Sequence, residues 1–144
     1  MANVLLVYGS TTGNTEMAAE QIAGNLSAHQ VETQDVADTT PEDLEGAKIL
    51  VLGSSTWGAG LLQQDFRDFA KDLSVDLSGK KIAVFGLGDT NYPDFCEAAT
   101  ILEKKVVELG GKLVVESLRV DGFPDEPENE SKIDQWSEEL NQTF

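Results

Sequence analysis

At 144 residues, 40% of them hydrophobic, the chain is long enough for one ordinary domain with a real core and too apolar to be disordered. Its 26 acidic and 10 basic residues give a formal charge of −16, which argues against nucleic acid and anionic membrane surfaces as partners and favours basic proteins drawn in by electrostatic steering. A lone cysteine, Cys96, excludes an internal disulfide and any multi-cysteine metal site, and the amino terminus has neither a basic leader nor an apolar stretch able to cross a bilayer, so a cytoplasmic protein is the simplest expectation.

The first element is a strand. Val4–Tyr8 is apolar and β-favouring without alternation, as expected of a central parallel strand covered on both faces. Ala18, Ala19, Ile22, Ala23 and Leu26 then recur at helical spacing, so a helix begins near Gly13 to Thr15. Between the two, Gly9-Ser10-Thr11-Thr12-Gly13-Asn14-Thr15 carries no charge; its backbone N–H groups, its hydroxyls and the positive end of the helix make a seat for a phosphate. The two glycines stand too close together, and Asn14 replaces the lysine, for a nucleoside-triphosphatase loop; the G-x-G-x-x-G of a dinucleotide turn is absent too. What remains is a single terminal phosphate wrapped by N–H and O–H donors without a counter-ion, or else a plain polar turn before a capped helix. His29, just past this helix, reads as an exposed loop residue.

A weaker, more polar strand over Val31–Val36 fits a sheet edge. Ile49–Gly53 is the next apolar strand, and the segment from Ser54 to Leu61 reads as a loop in which Trp57 has little core to fill and is placed to cover a flat apolar ring. Phe66, Phe69, Ala70 and Leu73 mark a helix and Ile82–Gly86 a strand, after which Tyr92 stands as a second aromatic among small polar residues. Phe95, Ala99, Leu102, Val106 and Leu109 stripe another helix, stopped by Gly110-Gly111, with Cys96 near its start. Leu113–Val115, extending towards Val120, is the last strand. The acidic run from Asp121 to Glu130 reads as a solvated loop, and a final helix from near Ser131 carries Ile133, Trp136, Leu140 and Phe144 on one stripe.

Alternating β and α elements with short connections predict an α/β fold: a three-layer, doubly wound sandwich on a five-stranded parallel sheet of order 2-1-3-4-5, with residues 1–144 as one domain. In such a sheet a ligand sits beyond the carboxyl ends of the strands, at the switch point between the first and third; here that means the loops after Tyr8, Gly53 and Gly86. A phosphate seat with one aromatic on each side suits a tricyclic flavin.

The segments G-S-T-T-G-N-T, S-S-T-W-G and F-G-L-G-D-T-N-Y-x-x-F-C, in that order and at those strand ends, resemble the three FMN-binding segments of the flavodoxins. Chain length, and the lack of a long insertion in the last strand, make the sequence similar to the short-chain type of sulfate-reducing bacteria. The resemblance implies FMN as cofactor, with Ser10, Thr11, Thr12, Gly13, Asn14 and Thr15 around its phosphate and Ser55 and Thr56 along the ribityl side. Trp57 and Tyr92 would flank the ring, Gly58 would present its carbonyl to N5, and Asp89 would meet the pyrimidine edge within a segment that also includes Leu87, Gly88, Phe95 and Cys96. Two positions depart from the pattern: Ala59-Gly60 stands where relatives often have an acidic residue, and Leu87 where some have cysteine.

The same resemblance implies a low-potential, one-electron transfer protein cycling between semiquinone and hydroquinone, not an enzyme with its own substrate, and with no catalytic or metal-binding residues. Its potentials would be set by a Gly58 peptide free to rotate and by burial of the ring between aromatic faces beside an unneutralised phosphate, with near charges mattering more than the total of −16. Its partners would be reductases, dehydrogenases and cytochromes met by a monomer through acidic residues such as Asp65, Asp94 and the run from Asp121 to Glu130. The alternative on the same fold is an FMN-dependent reductase, either a quinone reductase or the FMN module of a diflavin reductase. A signalling receiver domain would need an acidic cluster after the first strand and a phosphorylatable Asp after the third, where this chain has hydroxyls and Trp57.

Overall fold

The computed structural model describes residues 3–10, 13–57, 61–71, 73–88 and 97–144, with Trp57 and Leu61 described by their backbone alone. In chain order its elements are β1 (Val4–Gly9), α1 (Asn14–Asn25), β2 (Val31–Asp35), α2 (Pro41–Gly46), β3 (Ile49–Trp57), β4 (Leu61–Leu62), α3 (Gln64–Lys71), β5 (Lys81–Gly88), α4 (Glu97–Glu108), β6 (Lys112–Leu113), β7 (Leu118–Asp121) and α5 (Pro127–Thr143). Strands β2, β1, β3 and β5 lie side by side and parallel, and β6 and β7 share the next position, each parallel to β5. The expected order 2-1-3-4-5 is therefore the one found, its fifth place filled by two short strands.

Side-chain alternation along β1, β3 and β5 splits the core in two. Leu5, Val7, Leu50, Leu52, Ile82 and Val84 point to one face and pack on Phe66 and Ala70 of α3 and on Ala99, Leu102 and Val106 of α4. Val4, Leu6, Val51, Ala83 and Phe85 point to the other and pack on Ala18 and Ile22 of α1 and on Ile133, Trp136 and Leu140 of α5. Apolar side chains are needed on both faces, which is why these strands read as unbroken apolar runs. Edge strand β2 has one sheet neighbour, and its Glu32 and Thr33 are exposed.

Four expectations need correction. The third strand does not stop at Gly53: it runs on to Trp57 and folds back through β4, with Thr56 opposite Leu62 and Trp57 opposite Leu61, so Trp57 belongs to a strand end and not to a loop. Gly53, inside that longer strand, is a packing residue: the Phe85 ring lies where its Cβ would be. The last strand is not continuous, because residues 114–117 stand against only 83–84 of β5 and form an outward bulge. Trp136 closes that bulge from inside, its indole N–H donating to Glu116 O at 2.9 Å while its ring meets Phe85 edge-on.

The last helix begins at Pro127, four residues earlier than its apolar stripe indicates, because Pro at a first helical position followed by Glu128 and Glu130 suits a helix start. His29 is part-buried, bonded to Asn3 and edge-on to Phe144 at 5.9 Å, so it is not the exposed residue expected. Helix α2 has only Leu44 as a buried side chain and hence no stripe to detect. Its signal lay in the capping box: Thr40 and Asp43 exchange side-chain-to-backbone hydrogen bonds around Pro41. No helix among the described residues is long and apolar enough to cross a membrane.

Candidate functional site

The registers of the central strands bring three loop roots level. Gly9 of β1 stands beside Ser54 of β3, Ser54 beside Gly86 of β5, and Ser55 beside Leu87. The segments containing Ser10, Gly13, Asn14 and Thr15, then Ser55, Thr56 and Trp57, then Leu87 and Gly88, thus leave neighbouring strands at one end of the sheet. Thr11, Thr12, Gly58, Asp89, Tyr92, Phe95 and Cys96 lie outside the described residues, as does the side chain of Trp57.

The first segment is shaped by Gly13, whose φ of 91° is a left-handed conformation that glycine adopts without a Cβ penalty. Its N–H donates to Ser10 Oγ at 3.0 Å, closing the turn, and its carbonyl accepts the first helical bond, from Met17 N–H. As the cap of α1, Gly13 has no side chain to offer the first-turn N–H groups. Among the described residues the helix therefore presents its positive end with no side-chain cap.

Thr15 lies in that first turn. It is 1% exposed, and among the described residues its Oγ1 has no hydrogen-bond partner. A buried hydroxyl left unbonded costs about 1–3 kcal/mol. An oxygen-rich anion at the helix start would meet it together with the backbone donors, and the sequence has no Lys or Arg before Lys48 to compete for that anion. A phosphate monoester fits the donor set.

The second segment is held from behind by residues that sequence reasoning missed. Ser54 is fully buried; its Oγ donates to Ser55 O at 2.9 Å and accepts from Gln63 N–H at 3.0 Å. Gln63, 3% exposed, caps α3 by accepting Phe66 N–H on Oε1 at 3.1 Å, and a Cβ at Gly9 would sit 2.6 Å from that same oxygen. Gln63 therefore ties together the ends of β1 and β3 and the start of α3. A glutamine preceding a helix is a poor sequence signal for a cap, so nothing in the local pattern marks it.

Thr56 Oγ1 accepts Ala98 N–H at 3.1 Å, capping α4 from the neighbouring strand and fixing the end of the third segment against the second. Leu87 is 3% exposed and its side chain fills the core on the α1/α5 face, so it can offer the site only its backbone. Gly88 O accepts Gly122 N–H at 2.9 Å, which ties the third segment to the turn after β7. Two surface grooves, of about 440 and 600 Å³, open elsewhere, one at the amino ends of β1 and β3 and the other beside β7.

Tyr8 reports the electrostatics of this end of the sheet. Burial, and then the carboxylates of Glu16, Asp35, Glu20 and Asp38, raise its phenol above the ordinary value of 10.0. A folded-state pKa above the unfolded one means stability is complete below the unfolded value and is lost as pH rises through the folded value. Tyr8→Phe is therefore expected to keep more of its stability than the parent when urea midpoints at about pH 8 and about pH 11 are compared. In an absorbance titration it should lose the tyrosine that titrates above the ordinary phenol value. Equal alkaline losses in parent and variant would contradict this.

Comparison with known proteins gives a consistent outcome. The family model described as Flavodoxin matches residues 6–136. A flavodoxin of Maridesulfovibrio salexigens is 42% identical over 134 residues, spanning 89% of this chain and 92% of the relative. The crystal structure of oxidised flavodoxin 2 from Bacillus cereus is similar with a TM-score of 0.95 and 41% identity, covering 99% of this chain and 100% of that one. A Fusobacterium nucleatum flavodoxin solved bound to flavin mononucleotide shares the fold, with a TM-score of 0.88, 22% identity and coverage of 100% and 99%.

Proposed function

Since the chain belongs to the flavodoxin family, and so is an FMN-carrying electron-transfer protein, we propose that residues 1–144 act as a single FMN-binding domain, a cytoplasmic monomer that shuttles single electrons at low potential and turns over no substrate of its own. Bound FMN supplies the one-electron chemistry; the protein's share is binding, orientation and charge. The residues assigned to the phosphate are Ser10, Thr11, Thr12, Gly13, Asn14 and Thr15; to the ribityl chain, Ser55 and Thr56; and to the ring and its edges, Trp57, Gly58, Leu87, Gly88, Asp89, Tyr92, Phe95 and Cys96.

The observation that carries this reading is the start of α1, which among the described residues has no side-chain cap and holds the buried Thr15 hydroxyl without a partner. A seat with donors and no cation accepts a phosphate without neutralising it. Glu16, Asp35, Glu20 and Asp38 add negative potential near Tyr8, whose phenol is raised first by burial and then by these carboxylates. This field opposes any further gain of negative charge at the site, which lowers the potential of the last reduction step. Thr56 and Gln63 hold the described strand ends in place, so the roots of the binding segments have little ordering left to lose.

Reconstitution tests the proposal. Flavin-stripped protein is expected to bind one FMN per chain, and to bind it at least about 100-fold more tightly than riboflavin, because several charge-assisted hydrogen bonds are lost with the phosphate. Equal affinity for the two would remove the phosphate seat from the account, and steady oxidation of nicotinamide by the loaded protein would make it an enzyme.

A further inference from the structure

Most exposed apolar residues on a soluble protein mean little, but Phe123 is exposed in an unusual way. It is 57% accessible, while the next residue, Pro124, is buried. The turn between β7 and α5 that carries it is fastened by several hydrogen bonds to its backbone. Gly122, at φ 90°, donates to Gly88 O at 2.9 Å. Phe123 N–H donates to Glu126 Oε1 at 3.1 Å, and Phe123 O accepts both Glu126 N–H at 3.2 Å and Asn129 Nδ2 at 2.8 Å. Asn129, 7% exposed, also donates to Asp121 O at 2.8 Å. A nearly buried amide, a carboxylate and a left-handed glycine thus hold an aromatic ring out into water.

The surroundings of the ring are anionic. Asp121, Asp125, Glu126, Glu128 and Glu130 fall within ten residues of chain, and all are exposed. Met17, 41% exposed, lies at the same end of the α1/α5 layer, one helical turn before Gln21, whose amide reaches Glu130 O. The Gly122–Gly88 bond connects the turn directly to the end of β5, where the third loop of the site begins.

We propose that Phe123 is the aromatic anchor of a docking surface for redox proteins that present an apolar patch ringed by lysines or arginines, with Met17 at the same end of the α1/α5 layer and the carboxylates as rim. The surface rests on the electron-carrier reading above and supplies it with a place of contact. An apolar centre inside a charged rim is the anatomy of a transient interface: the rim steers encounter, while the aromatic gives the complex its lifetime. A turn already fixed in place has little ordering entropy left to lose on binding. A second copy of this chain is a poor occupant, since two surfaces of the same negative sign would meet.

The probe is a basic class I cytochrome c, whose exposed haem edge is surrounded by lysines. FMN content and FMN affinity are measured first; a protein that takes no FMN fails the carrier reading, and this surface with it. With both loaded proteins oxidised, so that no electron can pass, Phe123→Ser is expected to weaken binding about fivefold to tenfold while leaving the salt dependence unchanged. The pair Glu128→Gln and Glu130→Gln should instead flatten the salt dependence. The rate of electron delivery from the reduced protein should fall with Phe123→Ser in the same proportion. A variant that holds FMN like the parent and binds the cytochrome equally well overturns the docking surface alone, as does a parent that does not bind the cytochrome. Sedimentation showing a parent dimer that Phe123→Ser dissolves would give the surface to a second copy and overturn the proposal.

Discussion

Gly53→Ala is expected to destabilise the protein by about 3 kcal/mol, at the top of the range for forcing one extra methyl into a packed core. Gly53 and Phe85 are register partners on adjacent central strands, and the Phe85 ring occupies the space of a Cβ at position 53. The ring has nowhere to go, being fully buried with Trp136 edge-on against it. For a chain of this length such a loss lowers the melting temperature by about 6–12 °C. Phe85→Leu vacates the space and should rescue part of the loss, so the double variant should be more stable than the sum of the single effects allows. Urea denaturation of the four proteins checks this; strict additivity would mean that the glycine is there for another reason. Because Ser54 and Ser55 follow directly, the same substitution should also weaken FMN binding, coupling core packing to the site.

Thr15→Val is expected to move two quantities in opposite senses. The stripped protein should be as stable as the parent or slightly more so, since the substitution removes a buried hydroxyl with no partner among the described residues and keeps its shape. FMN affinity should fall about 10-fold to 100-fold, the value of one hydrogen bond to a charged oxygen, while riboflavin affinity should not change. A simple packing defect would lower stability and weaken both ligands together. Titration of FMN and riboflavin alongside urea denaturation separates these outcomes, and a fall in riboflavin affinity equal to that of FMN would remove Thr15 from the phosphate seat.

The two substitutions probe opposite ends of one design. Gly53 lets a large aromatic lie against the sheet so that the strand continues to Trp57 and carries the second segment to the rim. Among the described residues Thr15 is left without a partner, and an anion bound there would recover the cost of that shortfall.

Sequence alone determined the strands whose apolar runs are long, the helices whose stripes are wide, their order in the sheet, and the chemistry of the first loop. It could do so because these features are local: a two-residue period, a 3.6-residue period and a charge-free hydroxyl turn are each written in consecutive residues. Residues without a local signature were decided by tertiary structure. Gly53 looked like the end of its strand until the strand was seen running on past it with Phe85 lying on it, Trp57 looked like a loop residue until Leu61 was seen pairing with it, and α2 had one buried side chain and no stripe. Gln63 and the turn beneath Phe123 gave no sign at all, because their hydrogen bonds close between elements brought together only by folding: β3 and α3 in one case, β5 and α5 in the other. Period and composition describe how a chain meets water, whereas a bond between distant segments exists only once the sheet has set their register.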